Sequence, residues 1–202
     1  MFKYKIPITL IYSRLCIGFG MIILSSIRVN HYSFIAISFL TIGLLTDIFD
    51  GIIARRLNIS TPYLRRLDSN VDQVFFISAV IATYIQSPVF FKSNAAALFI
   101  LFGIESITYI VCYIKFRKEI ATHSIGAKIW TLLLFAALAE VIIYGKSAYL
   151  FTICLWVGII SRLEIIAIIL CLKTWTNDVP TLYHAIKLRK GKEIKRNKLF
   201  NG

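Results

Sequence analysis

Charge is scarce in this 202-residue sequence: 16% of its residues are charged and 58% are hydrophobic, with a mean hydropathy of +0.75. A soluble domain is about 25% charged and about 45–50% apolar. A water-soluble globule of this size has no interior large enough for such an excess, which excludes ordinary cytosolic enzymes and, for the same reason, disorder. Cysteine is scarce as well. Cys16, Cys112, Cys154 and Cys171 are scattered through apolar stretches, which excludes a disulfide scaffold and a zinc ribbon. His31, His123 and His184 are isolated, none with a second metal-ligating side chain at helical spacing. No cleavage-site pattern follows the first apolar run, so that run is expected to stay as a membrane span. Internal repeats and low-complexity tracts are lacking too.

What the sequence does have is long apolar runs. A helix that crosses a bilayer needs about 20 mainly apolar residues. Six runs meet that length, at residues 8–27, 33–54, 67–90, 94–115, 127–145 and 148–172. The sequence therefore predicts an all-α polytopic membrane protein of about six transmembrane helices, with an interfacial N-terminal segment over residues 1–7. One membrane domain is expected over residues 1–175, followed by a basic cytoplasmic tail over 176–202.

The formal net charge of +13 is distributed unevenly between alternate connections. Arg28, Lys92 and Lys146 are the only cations in the first, third and fifth. The opposite side collects Lys3, Lys5, Arg55, Arg56, Arg65, Arg66, Lys115, Arg117, Lys118 and Lys128, together with the tail. The positive-inside rule then puts both termini and the even-numbered connections in the cytoplasm. The tail is expected to be a solvated basic helix and end that lie against anionic lipid headgroups. It lacks an aromatic stacking platform, so no nucleic-acid partner is expected.

Acids are rarer still, ten in all. Four of them, Asp47, Asp50, Asp68 and Asp72, flank one short connection, and intramembrane acids mark functional sites. Asp47 and Asp50 share a helical face at the end of the second run. Asp68 and Asp72 share one at the start of the third. An antiparallel hairpin would bring the two faces together. Four carboxylates so placed repel one another unless a cation sits among them. Mg²⁺ or Mn²⁺, one or two ions, is the natural choice where phosphate is handled, with one carboxylate left as general base. The alternative is a set of ion pairs with Arg55, Arg56, Arg65 and Arg66. Gly51 and Ala54 remove bulk beside the acids, for close helix packing or for a flat ligand, and Arg55 can complement a phosphate.

These residues carry a resemblance. Asp47-Ile-Phe-Asp50-Gly51-Ile-Ile-Ala54-Arg55, followed after eight residues by Leu64, Asp68 and Asp72, is similar to the CDP-alcohol phosphatidyltransferase signature DxxDGxxARx8GxxxDxxxD. Every specified position matches except the second glycine, where Leu64 stands. Ile6-Pro7 and Arg14 also resemble the family's PNxLTxxR entry, with Ile8 and Ile11 in place of its Asn and Thr.

The resemblance implies a small six-helix membrane enzyme of phospholipid biosynthesis. Such an enzyme transfers a phosphatidyl-type group from a CDP-alcohol donor lipid, CDP-diacylglycerol being the usual one, to a polar or lipid acceptor hydroxyl and releases CMP. By position, Asp47, Asp50 and Asp68 would bind metal, and Asp72 would approach a second metal and act as base. Gly51 and Ala54 would line the cytidine pocket, and Arg55 would contact the nucleotide or its diphosphate. Arg14 would contact phosphate, or else is an ion-paired or snorkelling arginine. The stretch Ala54-Arg55-Arg56-Leu57-Asn58-Ile59-Ser60-Thr61 is nearest the glycerol-phosphate and cardiolipin branch, although Gln73 replaces that branch's lysine. Homodimers are common in the family.

Lys115, Arg117 and Lys128 are acceptor-binding candidates, or cations that set topology. Glu105, Glu140, Arg162 and Glu164 lie in later runs. Arg162 and Glu164, two apart, point away from each other, and each is expected to pair with another helix. A catalytically silent relative that binds CDP-alcohol, and a cation transporter with midplane acids, are the alternatives to the enzyme.

Overall fold

The structure is a computed structural model that describes residues 2–27, 29–57, 61–118, 120 and 124–194. Arg28, His123 and the tail cations Lys195, Arg196 and Lys198 lie outside the described residues. The described residues form eight helices and no strand: α1 (Phe2–Ser26), α2 (Tyr32–Arg56), α3 (Pro62–Gln86), α4 (Pro88–Ser93), α5 (Ala95–Phe116), α6 (Ile125–Tyr144), α7 (Tyr149–Cys171) and α8 (Leu182–Arg189). The all-α expectation holds. Five helices are long and apolar enough to cross a membrane, with spans at Ile6–Ser26, Tyr32–Ala54, Ala95–Phe116, Ile125–Tyr144 and Tyr149–Cys171.

The sixth expected span is α3, whose 25 residues reach roughly 37 Å at 1.5 Å per residue. Its first half carries Arg65, Arg66, Asp68 and Asp72, so apolarity alone does not mark it as a span. The boundaries of α3 also differ from the expected 67–90. Pro62 sits in the first turn behind Thr61, whose hydroxyl accepts a hydrogen bond from the Leu64 amide at 3.2 Å. At the other end Pro88 disfavours helical backbone at Ser87, and the helix stops at Gln86. The N-terminal segment is helical from Phe2 and continues through Pro7 into the first span without a break.

The chain divides into two compact units, residues 1–91 with 138–147 and residues 92–137 with 148–202. In the first unit α1 packs along both α2 and α3, which touch each other far less. Small residues permit the close approach. A Cβ on Gly18 would lie 3.2 Å from the Ser78 Cβ, and the Phe75 ring occupies the place of a Cβ on Gly43. Gln86 donates from Nε2 to the Ser25 carbonyl at 2.9 Å and ties the end of α3 to the end of α1.

In the second unit α5 packs on α7. The Lys115 ammonium at the end of α5 donates to the carbonyls of Ile169 and Leu170, 2.9 and 2.7 Å away, which the end of α7 leaves without helical partners. Part of the tail belongs to this unit's core. Val179 and Ala185 are fully buried with Ile168 and Leu172, and α8 rests on the end of α7.

Two expectations follow. Gly43→Ala forces the Phe75 ring to move and should cost about 1–3 kcal/mol by overpacking, whereas Gly103→Ala, which meets nothing within 4 Å, should leave thermal unfolding in detergent unchanged. Lys115→Met should lower stability by about 1 kcal/mol through loss of the α7 cap, read in the same melting experiment.

Candidate active site

The first unit places one arginine among four carboxylates. Arg14 lies more than three turns into α1, too deep for its side chain to reach water past the helix start, and it is fully buried. α2 and α3 bring their acids to it in antiparallel register. The Nη1 atom donates to Asp47 Oδ1 at 3.0 Å and to Asp72 Oδ1. The Nη2 atom donates to Asp50 Oδ2 and Asp68 Oδ1. Each terminal nitrogen thus spans one carboxylate of α2 and one of α3. The spacings that make this possible are i, i+3 on α2 and i, i+4 on α3. They put each pair on one face, and the short connection makes the two faces meet.

Burial differs sharply within the cluster. The Asp50 side chain is 3% exposed, while Asp47, Asp68 and Asp72 are 35%, 29% and 28% exposed. The guanidinium and Asp50 therefore form a floor, and three carboxylates rim an open side. Four carboxylates against one guanidinium leave these five side chains strongly negative.

Oxygens of Asp47, Asp50 and Asp68 lie within 4.8 Å of one another. Hard oxygen donors that converge in this way, with negative charge to spare, fit a divalent cation such as Mg²⁺ or Mn²⁺. The Nε of Arg14 is buried and lacks a hydrogen-bond partner among the described residues. The guanidinium is thus anchored by its carboxylates alone.

One turn toward the α2–α3 connection the chemistry changes. Ile11, Ala54, Leu64 and Val71 form a buried apolar layer, with Ile8, Leu15, Leu57 and Leu67 packed on it. Leu64 stands one turn before Asp68 on α3, and Ala54 one turn after Asp50 on α2. The side chain at the exceptional position of the signature therefore fills the space beside Ala54. Gly51 is half-buried on the same helix. The backbone of Arg55 continues α2, and its side chain lies outside what the structure describes.

Most of the other named residues belong to the second unit, and Glu140 belongs to the first. Lys115 caps α7, as described above. Arg117 is the left-handed cap of α5, with φ 53°, and its guanidinium lies 5.8 Å from the Tyr113 ring centre. Lys128 is exposed in the first turn of α6. Arg162 on α7 pairs through Nε with Glu105 on α5 and lies 4.5 Å from the centre of the Trp130 ring. This is the inter-helix partner expected for both charges. The Ser147 hydroxyl donates to Glu140, and Glu164 leans over Gly126, where a Cβ would be 3.0 Å from its Oε2.

The sequence did not foretell that Arg14 pairs with all four acids together. The one signal for it was an arginine well inside an apolar run, a position that an arginine holds only with polar or charged partners or by reaching water.

No curated protein and no solved structure matches the chain. A family model does, that of CDP-alcohol phosphatidyltransferase, over residues 4–178. The matched stretch takes in α1 from residue 4, every helix from α2 to α7, Arg14 and the four aspartates around it, and the chain belongs to the CDP-alcohol phosphatidyltransferase family.

Proposed function

We propose that this membrane phosphotransferase moves a phosphatidyl group from CDP-diacylglycerol to the hydroxyl of a small polar acceptor, glycerol 3-phosphate first among them, and releases CMP at the cytoplasmic face of the membrane. The observation that carries this reading is the convergence of four carboxylates from two facing helices, three of them open on one side. The acids lie within three turns of the α2–α3 connection. That position suits a site served from an interface and not the midplane site of a transporter. Family membership makes the chain an enzyme of phospholipid synthesis with CDP-alcohol and acceptor substrates, in a family that is typically divalent-metal dependent.

The chain's own residues divide the work. Asp47, Asp50 and Asp68 would hold a divalent cation, and buried Asp50 would fix the position of the set. The bound cation supplies charge neutralisation at the diphosphate and at the departing CMP. Asp72, fourth in the cluster and outside the group of three oxygens, takes the acceptor's hydroxyl proton. The acceptor oxygen then forms its bond to the lipid-bearing phosphorus as the bond to the CMP oxygen breaks, and CMP leaves as a phosphate monoester. Gly51 and Ala54 give the nucleotide a flat, uncrowded flank. Leu64 narrows that flank and limits how deeply the base can sit. Arg14 and Arg55 complement the phosphates. Lys115, Arg117 and Lys128, all exposed, are the cations that would bind an anionic acceptor.

The test is CMP release from CDP-diacylglycerol by the purified protein with Mg²⁺ or Mn²⁺, across a panel of acceptors. Acceptor-dependent CMP is expected, with a loss of about 10²–10⁴-fold in Asp72→Asn, the usual worth of a general base. Chelation of the metal should abolish release, and re-addition should restore it. CMP formed at the same rate by Asp72→Asn would remove that residue from the chemistry. Metal flux without CMP would replace the enzyme with a transporter.

A further inference from the structure

We infer that Arg14 is a built-in counter-cation, one that a divalent metal must displace from the acid cluster and that is thereby freed to meet an anionic substrate group. The inference rests on the reading of Asp47, Asp50 and Asp68 as metal ligands. It adds a competition that this reading does not contain.

Three observations carry it. The first is occupancy. The guanidinium donates to all four aspartates, and three of its acceptor oxygens belong to the residues whose carboxylates converge within 4.8 Å. Arg14 therefore engages the same carboxylates that a cation at this site would use. A guanidinium and a divalent ion sharing those carboxylates would repel each other at close range.

The second is freedom to leave. Among the described residues Nε has no partner, so no further hydrogen bond from the guanidinium pins the side chain once its carboxylates turn to a metal. Asp47, Asp68 and Asp72 are each about one-third exposed, so the path out is open on that side.

The third is destination. A planar fork of five donors released beside a metal-bound carboxylate cluster is well suited to a phosphate oxygen pair. Metal and diphosphate binding are then coupled through one side chain: each lowers the cost of the other, and by linkage the effect is reciprocal. In the absence of metal, Arg14 keeps four neighbouring carboxylates neutralised enough to coexist at membrane depth.

The experiment is a Mn²⁺ titration followed by electron paramagnetic resonance on the full chain in nanodiscs, comparing the wild type with Arg14→Gln. Loss of the competitor should tighten Mn²⁺ binding by about tenfold or more, the scale of one charge-assisted partner removed. Thermal unfolding supplies a second readout. Without Mn²⁺ the variant should melt lower than the wild type, and added Mn²⁺ should raise its melting temperature more than it raises that of the wild type.

A merely structural Arg14 would give weaker or equal Mn²⁺ affinity in the variant. With binding still saturable and still lost in Asp50→Asn, that result overturns the competition and leaves the metal reading intact. Absence of saturable Mn²⁺ binding in both proteins overturns the two together. If the Gln variant does not fold, Arg14→Lys decides on the same criterion, since one ammonium cannot bridge four carboxylates as a fork does.

Discussion

A guanidinium surrounded by protein and lipid has no water to keep its charge, and the first unit is arranged around that constraint. Arg14 is fully buried and is bonded by carboxylates from two other helices. Removing one partner from such a set is far costlier than the net worth of the pairing, because a charge is left uncompensated at low dielectric. The helices must therefore approach closely enough for the fork to reach both sides. Gly18 on α1 against Ser78 on α3, and Gly43 on α2 against Phe75 on α3, provide that approach, and α1 packs along both α2 and α3. Packing and electrostatics are here the same requirement.

The second unit meets a similar demand by different means. Arg162 has one carboxylate, Glu105, and the face of Trp130. An aromatic face attracts a cation without adding charge of its own, so this pair stays close to neutral where the first cluster is strongly negative. An excess of negative charge, beyond what the protein itself neutralises, distinguishes a cluster whose donors fit a metal from an ion pair between two helices. Both contain intramembrane charge, and only the first has acids to spare.

Much of this was legible in the sequence. Asp47, Asp50, Asp68 and Asp72 announced their shared faces by spacing, and the connection between them announced the hairpin. Glu105 and Arg162 were correctly expected to find partners on other helices. Three features were not legible, each for a physical reason. Arg14's partners lie 33 to 58 residues away, beyond any local periodicity. Leu64 departs from the signature glycine, and only the tertiary structure reveals that it fills the layer beside Ala54. The tail looked solvated by composition, yet Val179 and Ala185 are buried because the end of α7 offers an apolar surface that α8 covers. At Lys115 composition left two roles open, and the structure adds that its ammonium donates to the Ile169 and Leu170 carbonyls.

The sequence separation of Arg14 from its partners also has a consequence for biogenesis. A chain made from its N-terminus delivers α1 to the membrane before α2 and α3. The acids of α2 arrive 33 and 36 residues after Arg14, and those of α3 only 54 and 58 residues after it. An unpaired arginine inside a span is costly to insert, up to about 2.5–3.5 kcal/mol at the very centre on insertion scales. Until α3 has been synthesised, that cost is only partly relieved. The first span is therefore an unsettled guest in the bilayer, committed to its final place only when the hairpin closes around it, and the charge cluster couples the order of synthesis to the completion of the fold.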